Sequence, residues 1–86
     1  MPRVMFSEKA WEEYLWWQTQ DRKKLKRINA LLQEIGRGEK PFGKADRLKG
    51  SFAGSLSVRI DEANRLVYRV AEGTVVVEQC KGHYDD

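Results

Sequence analysis

The spacing of apolar residues changes twice along the chain. It is helical from residue 8 to residue 35, lapses from 39 to 54, and alternates in the manner of strands from 55 to 80. Trp11, Tyr14, Leu15 and Gln18 fall at i, i+3, i+4 and i+7, which predicts a helix over about 8–19 with Trp11 on its core face. Ser7 stands where an N-cap is needed, and Glu8 follows in the first turn, where the helix dipole favours an anion. Asp21 reads as a second N-cap. Beyond it Leu25, Ile28, Leu31, Leu32 and Ile35 form a stronger stripe that stops at Gly36 and Gly38. The two segments make an αα-hairpin, and PRVMF (2–6) ahead of them suits an edge strand.

The stretch 39–54 (EKPFGKADRLKGSFAG) is mostly loop, with Arg47, Leu48 and Lys49 as an extended piece. Three strand signals follow. SLSVRI (55–60) sets Leu56, Val58 and Ile60 against Ser57 and Arg59, and RLVYRV (65–70) sets Leu66, Tyr68 and Val70 against Arg65, Val67 and Arg69. TVVVEQC (74–80) is the most β-branched run in the chain. Glu62-Ala63-Asn64 suits a three-residue hairpin loop with Asn64 in the left-handed conformation, and an odd loop keeps Arg59 and Arg65 on one face. Glu72-Gly73 suits a two-residue primed turn, which places Val75 and Val77 with the apolar set and Glu78 and Cys80 with the arginines. The expected fold class is α+β in the order β-α-α-β-β-β. Its antiparallel sheet packs the helical hairpin on one face and shows Arg59, Arg65, Arg69, Glu78 and Cys80 on the other.

A chain of 86 residues is one domain, 1–86, with a small core, and 41% apolar with 34% charged residues describes a folded globule rather than a disordered chain. No apolar run approaches the ~18–20 residues of a membrane span, and the N-terminus is too acidic for a signal peptide. A single cysteine forms no internal disulfide, which predicts a reducing cytoplasm. The net charge of +3 hints at an anionic partner, though such an excess also occurs on inert surfaces.

The arginine face has two readings. It is a solvated polar face, or it is an anion cradle in which two guanidiniums one strand apart grip a phosphate. His83, the only histidine, follows Cys80 by three residues and comes within reach of that cradle unless it is an exposed tail residue. Asp46 and Lys49 are loop charges or part of the same group. Taken together, an acid, a lysine, two arginines, a histidine and a tyrosine are what RNA transesterification needs. A base takes the 2′-OH proton, cations stabilise the phosphorane, and an acid protonates the departing 5′ oxygen. No metal-ligand cluster or Gly-rich phosphate loop competes, and no cofactor or metal is implied. Cys80 reads as a small apolar filler at a strand end rather than a nucleophile. Trp16 and Trp17 point about 100° apart, so one stripe cannot bury both; one caps the core edge, or the pair marks a protein interface.

These residues sit in segments that resemble the YoeB/Txe branch of the RelE-type toxins of bacterial toxin–antitoxin pairs. The segments are F-S-E-x-A-W-E-E-Y (6–14), Q-T-Q-D-R-K (18–23), L-K-G (48–50), R-I-D-E-x-x-R-L-V-Y (59–68) and C-x-x-H-Y (80–84). The resemblance implies a small RelE-like fold and a cytoplasmic, ribosome-dependent endoribonuclease that cuts mRNA in the ribosomal A site without a metal. Its implied partners are the 70S ribosome with mRNA, and a YefM-like antitoxin that neutralises it. A homodimer through the helical hairpin, using Trp16 or Trp17, is a further expected assembly. By the same resemblance Arg65 stabilises the transition state, His83 is the general acid, Lys49 and Arg59 hold phosphate, and Tyr84 positions substrate or histidine. Asp46 stands where the family has a glutamate general base, in K-A-D-R-L-K instead of K-P-E-x-L-K. Val58, Leu56 and Gly82 also depart from the family's usual residues, and two aspartates extend past the usual H-Y end. The alternative is a non-catalytic inhibitor on this scaffold, either a gyrase-poisoning ParE-like toxin or a plain basic ribosome-binding module.

Overall fold

The computed structural model describes residues 3–38, 45–50 and 53–82. In chain order the elements are β1 (Arg3–Phe6), α1 (Glu8–Gln20), α2 (Arg22–Gly36), β2 (Asp46–Arg47), β3 (Leu56–Arg59), β4 (Arg65–Ala71) and β5 (Thr74–Gln79). They form one five-stranded sheet in the order β1-β5-β4-β3-β2 with the helical hairpin on one face, which is the α+β class expected. The sheet is mixed rather than wholly antiparallel, because β1 joins β5 in parallel while the other pairs are antiparallel. The piece expected around Arg47 is a strand of its own, β2, paired to β3. None of the described helices is long and apolar enough to cross a membrane.

Both N-caps are as expected. The Ser7 hydroxyl accepts from the Ala10 N–H at 3.0 Å, and the Asp21 carboxylate accepts from the N–H groups of Lys23 and Lys24 at 3.1 and 3.2 Å. In α2 the stripe holds, with Ile28, Leu31 and Ile35 buried and Leu25 and Leu32 packed at the edge. In α1 the buried arc is turned from the expected one. Ala10 and Trp17 enter the core, whereas Trp11 and Leu15 are exposed, and Trp11 stacks on Tyr14 and meets Phe6 edge-on at the rim. Two bonds explain the turn. The Trp17 indole N–H donates to the Cys80 carbonyl at 2.8 Å, and the small Ala10 lets its own carbonyl take the Cys80 thiol at 3.5 Å. Trp16 is the exposed member of the tryptophan pair. Trp17→Phe removes the indole donor and leaves the Cys80 carbonyl unpaired. It is expected to cost about 2 kcal/mol, seen as a thermal midpoint lower by roughly 10 °C.

The Glu72-Gly73 turn is primed as expected: both residues have positive φ, 50° and 76°, and Ala71 pairs with Thr74 across it. The other hairpin differs. Arg59 pairs directly with Arg65, so they do share a face, but Asn64 is not left-handed. The Asp61 carboxylate instead accepts from the N–H groups of Ala63 and Asn64, both at 2.8 Å, and folds the loop as an Asx turn.

Cys80 is the clearest correction. It lies in the helix-facing core, not among the arginines. Val67 pairs with Gln79 and Tyr68 with Val77, so Glu78 is an extra residue on β5, a bulge that flips every later side chain to the opposite face. Burial, aided by the Glu13 carboxylate, pushes the Cys80 thiol up to about 12, so it stays protonated at neutral pH. Val67, expected beside solvent, is fully buried at the centre of the arginine face, and Val70 is exposed at the far end of the other.

Candidate functional site

The face opposite the helices is built in cross-strand rows. One runs Asp46, Ser57, Val67, Gln79 from β2 to β5, and the next pairs Arg59 with Arg65. Two arginines directly opposite one another repel, so this row costs stability and needs compensation. Part of it is visible. Arg65 Nη1 lies 3.3 Å from Asp46 Oδ2 and 3.4 Å from the Ser57 hydroxyl, in the row behind. The Arg65 side chain is 19% exposed while Asp46 is 74% exposed, so a half-buried guanidinium presents a carboxylate to solvent. Arg59 is exposed beside them. Lys49 is exposed two residues beyond β2. Further along, Glu78 accepts from the Ser55 hydroxyl and lies 4.0 Å from Arg69 Nε.

The chain leaving β5 is fixed residue by residue next to this group. The Cys80 N–H donates to Glu13 Oε1 at 2.8 Å, and its carbonyl takes the Trp17 indole N–H. Lys81 Nζ sits 4.4 Å over the Trp16 ring, a cation–π contact. The Gly82 N–H donates to Asn64 Oδ1 at 2.7 Å, and the Gly82 carbonyl accepts from the Arg65 N–H at 3.0 Å. Asn64 is held in turn, because its amide donates to both Asp61 oxygens, at 2.9 and 3.1 Å. Burial works against the Asp61 charge, but hydrogen bonds from Ala63 and Asn64 and the Lys24 ammonium at 3.4 Å outweigh it and hold the carboxyl below its ordinary range.

Of the expected site residues, Asp46, Arg59 and Arg65 come together on one face, and Lys49 lies just past the strand that carries Asp46. His83 and Tyr84 lie outside the described residues; their chain neighbour Gly82 is bonded to Arg65. Two residues that matter to this geometry escaped the sequence reading. Ser57 looked like an ordinary polar partner in the alternation, yet it orients Arg65. Asn64 was expected to make a turn, but its side chain clamps Gly82; the signal was the D-x-x-N spacing of Asp61 and Asn64, which suits an Asx turn.

The face thus offers a carboxylate, a guanidinium locked against it and a second arginine, an arrangement suited to gripping a phosphate while a proton is moved. Known proteins match the chain along nearly its whole length. A model of the YoeB-like toxin of bacterial type II toxin–antitoxin systems matches residues 6–84. Toxin YoeB of Streptomyces coelicolor is 42% identical over 83 residues, covering 95% of this chain and 99% of the relative. Among solved structures, the YoeB–YefM complex from Staphylococcus aureus matches with a TM-score of 0.88 and 36% identity, over 98% of this chain and 99% of that one. The YoeB dimer from Staphylococcus aureus matches at 0.84 and 36% identity, over 96% and 98%. Its segments, its sheet order and its likeness to these proteins along nearly the full length place the chain in the YoeB-like toxin family of bacterial type II toxin–antitoxin systems.

Proposed function

We propose that this toxin is an endoribonuclease that cuts mRNA in the ribosomal A site by acid–base transesterification and so blocks translation in the cytoplasm. The observation that carries the reading is the 3.3 Å contact of Arg65 with Asp46, beside the Gly82 that leads into His83. In the reaction Asp46 takes the proton of a 2′-OH, and the 2′ oxygen attacks the adjacent phosphorus. Arg65, with Arg59 and Lys49, balances the charge on the phosphorane oxygens. His83 gives its proton to the departing 5′ oxygen and Tyr84 orients the reacting groups, leaving a 2′,3′-cyclic phosphate and a free 5′-OH.

Arg65→Ala tests the reading. It is expected to lower single-turnover cleavage by about 10²-fold while sparing ribosome binding, because its charge meets charge that develops only in the transition state. If binding falls as far as turnover, Arg65 is a docking residue instead. Asn64→Ala should also slow cleavage, by about 10-fold, through loss of the Gly82 clamp rather than of any reacting group. Faster hydrogen exchange at the Gly82 amide and an unchanged KM are expected to accompany it. Wild-type cleavage with a freed Gly82 amide would show that the clamp does not serve the reaction.

The same face supplies the inhibition. An acidic or backbone segment of a YefM-like antitoxin, laid across Arg59, Arg65 and His83, would occupy the phosphate cradle. The solved Staphylococcus aureus relative in complex with YefM supports this, and the solved dimer supports self-association. Exposed Trp16, rather than buried Trp17, is the tryptophan of the pair available to such a contact.

A further inference from the structure

One row of the arginine face holds a polar group with no structural use. Ser57, Val67 and Gln79 stand opposite one another on β3, β4 and β5, and they are 0%, 0% and 3% exposed although none belongs to the helix-facing core. Ser57 has a task there, because its hydroxyl accepts from Arg65 Nη1. Gln79 has none. Its Nε2 is the one buried side-chain nitrogen or oxygen among the described residues that lacks a hydrogen-bond partner. A buried donor left unpaired has lost its water and gained nothing, and folded chains keep few such groups. An apolar side chain would fill the same place without that loss.

The bulge at Glu78 creates the position. Strict alternation would turn only one of residues 78 and 79 towards the arginines, whereas the extra residue turns both. Glu78 accepts from the Ser55 hydroxyl and lies 4.0 Å from Arg69 Nε, and both contacts use Oε1, which leaves Oε2 able to accept another bond. The Arg69 side chain is 52% exposed, and an exposed pair at that distance is worth little, so it yields to a ligand at small cost. Gln79 faces Val67, two residues from Arg65, which makes it a diagonal neighbour of that arginine at about 7–8 Å.

We propose that Gln79 and Glu78 form a nucleobase subsite, in which the Gln79 amide donates to a base acceptor and Glu78 accepts from the base N–H beside it, while Arg65 holds the adjoining phosphate. The proposal deepens the nuclease reading and rests on it for its ligand class. Every nucleobase carries an acceptor next to an N–H donor on its pairing edge, the complement of this amide and carboxylate. Phosphate does not fit, because it has no N–H to offer and the Glu78 charge repels it. Gln79 is on this reading a specificity residue that touches the base and moves no proton.

The test is a nuclear magnetic resonance titration of the Gln79 side-chain amide, assigned by its loss in Gln79→Leu. The probe is a 2′-deoxy trinucleotide of mixed bases, which has no 2′-OH to attack with, and the control is the same sugar–phosphate chain without bases. Both should shift the Arg65 guanidinium signals, and only the first should shift the Gln79 amide. Gln79→Leu is expected to weaken trinucleotide binding by about 5–10-fold, the worth of one hydrogen bond, and to leave binding of the base-free chain as it was. Its thermal midpoint should equal or exceed that of the wild type, because apolar atoms of similar volume replace an unpaired donor. A purely structural glutamine would do the reverse, with a lower midpoint and unchanged affinity, and that result would overturn the proposal. So would failure of the trinucleotide to bind, an equal Gln79 shift with the base-free chain, or a shift produced only by an acidic peptide. The wild-type titration decides the matter even if the variant folds poorly. No bond is cut in it, so a failure of the nuclease reading stays separate.

Discussion

Replacing His83 with glutamine is expected to lower mRNA cleavage by ~10²–10⁴-fold with no change in thermal midpoint, because a positioned proton transfer in a transition state is worth that much. Imidazole is the side chain whose ordinary pKa lies near neutrality, so it both holds a proton and releases it under cellular conditions. Glutamine keeps a polar group of similar reach and cannot give up a proton. The three residues before His83 are each bonded, Cys80 to Glu13 and Trp17, Lys81 to the Trp16 ring, and Gly82 to Asn64 and Arg65. The chain therefore enters residue 83 from a fixed point beside the Arg65 backbone. Single-turnover cleavage of ribosome-bound message measures the effect, and a rate near wild type would remove His83 from the mechanism.

The second large effect is at Asp46, where two substitutions should part. Asp46→Asn removes the proton acceptor and the ion pair that draws Arg65 forward, and is expected to lower cleavage by ~10²–10⁴-fold. Asp46→Glu keeps the carboxylate and adds one methylene, about 1 Å of reach, which on this exposed edge strand meets no core residue. It should match or exceed the wild-type rate. Ser57 holds Arg65 in both variants, so the guanidinium stays near the site and the comparison isolates the carboxylate. Full activity in Asp46→Asn would mean that another group, such as Lys49, takes the 2′-OH proton.

The parts of this fold that were legible in the sequence are those governed by local rules. Ser7 and Asp21 are caps because their short oxygens satisfy the first N–H groups of a helix, and Glu72-Gly73 is a primed turn because two residues must adopt positive φ. What was not legible depends on long-range contact. The rotation of α1 is set by the bond from Trp17 to a carbonyl 63 residues away, which no helical stripe records. The bulge at Glu78 inverts Cys80, and strict alternation assumes that no such extra residue exists. At the site, the shared face of Arg59 and Arg65 followed from loop parity. The reach of Arg65 to Asp46 did not, because it needs β2 at the sheet edge, paired so that Asp46 stands opposite Ser57.

The central claim is that this chain cuts mRNA in the ribosomal A site, and toeprinting on programmed ribosomes tests it most directly. Ribosomes are stalled with a defined codon in the A site, and primer extension is run with the purified toxin, with the His83→Gln chain, and with no protein. The account predicts a new stop within the A-site codon for the wild-type toxin alone, absent when ribosomes are omitted. Uncut message on ribosomes that the wild-type toxin demonstrably occupies, or equal cutting by the His83→Gln chain, would contradict it.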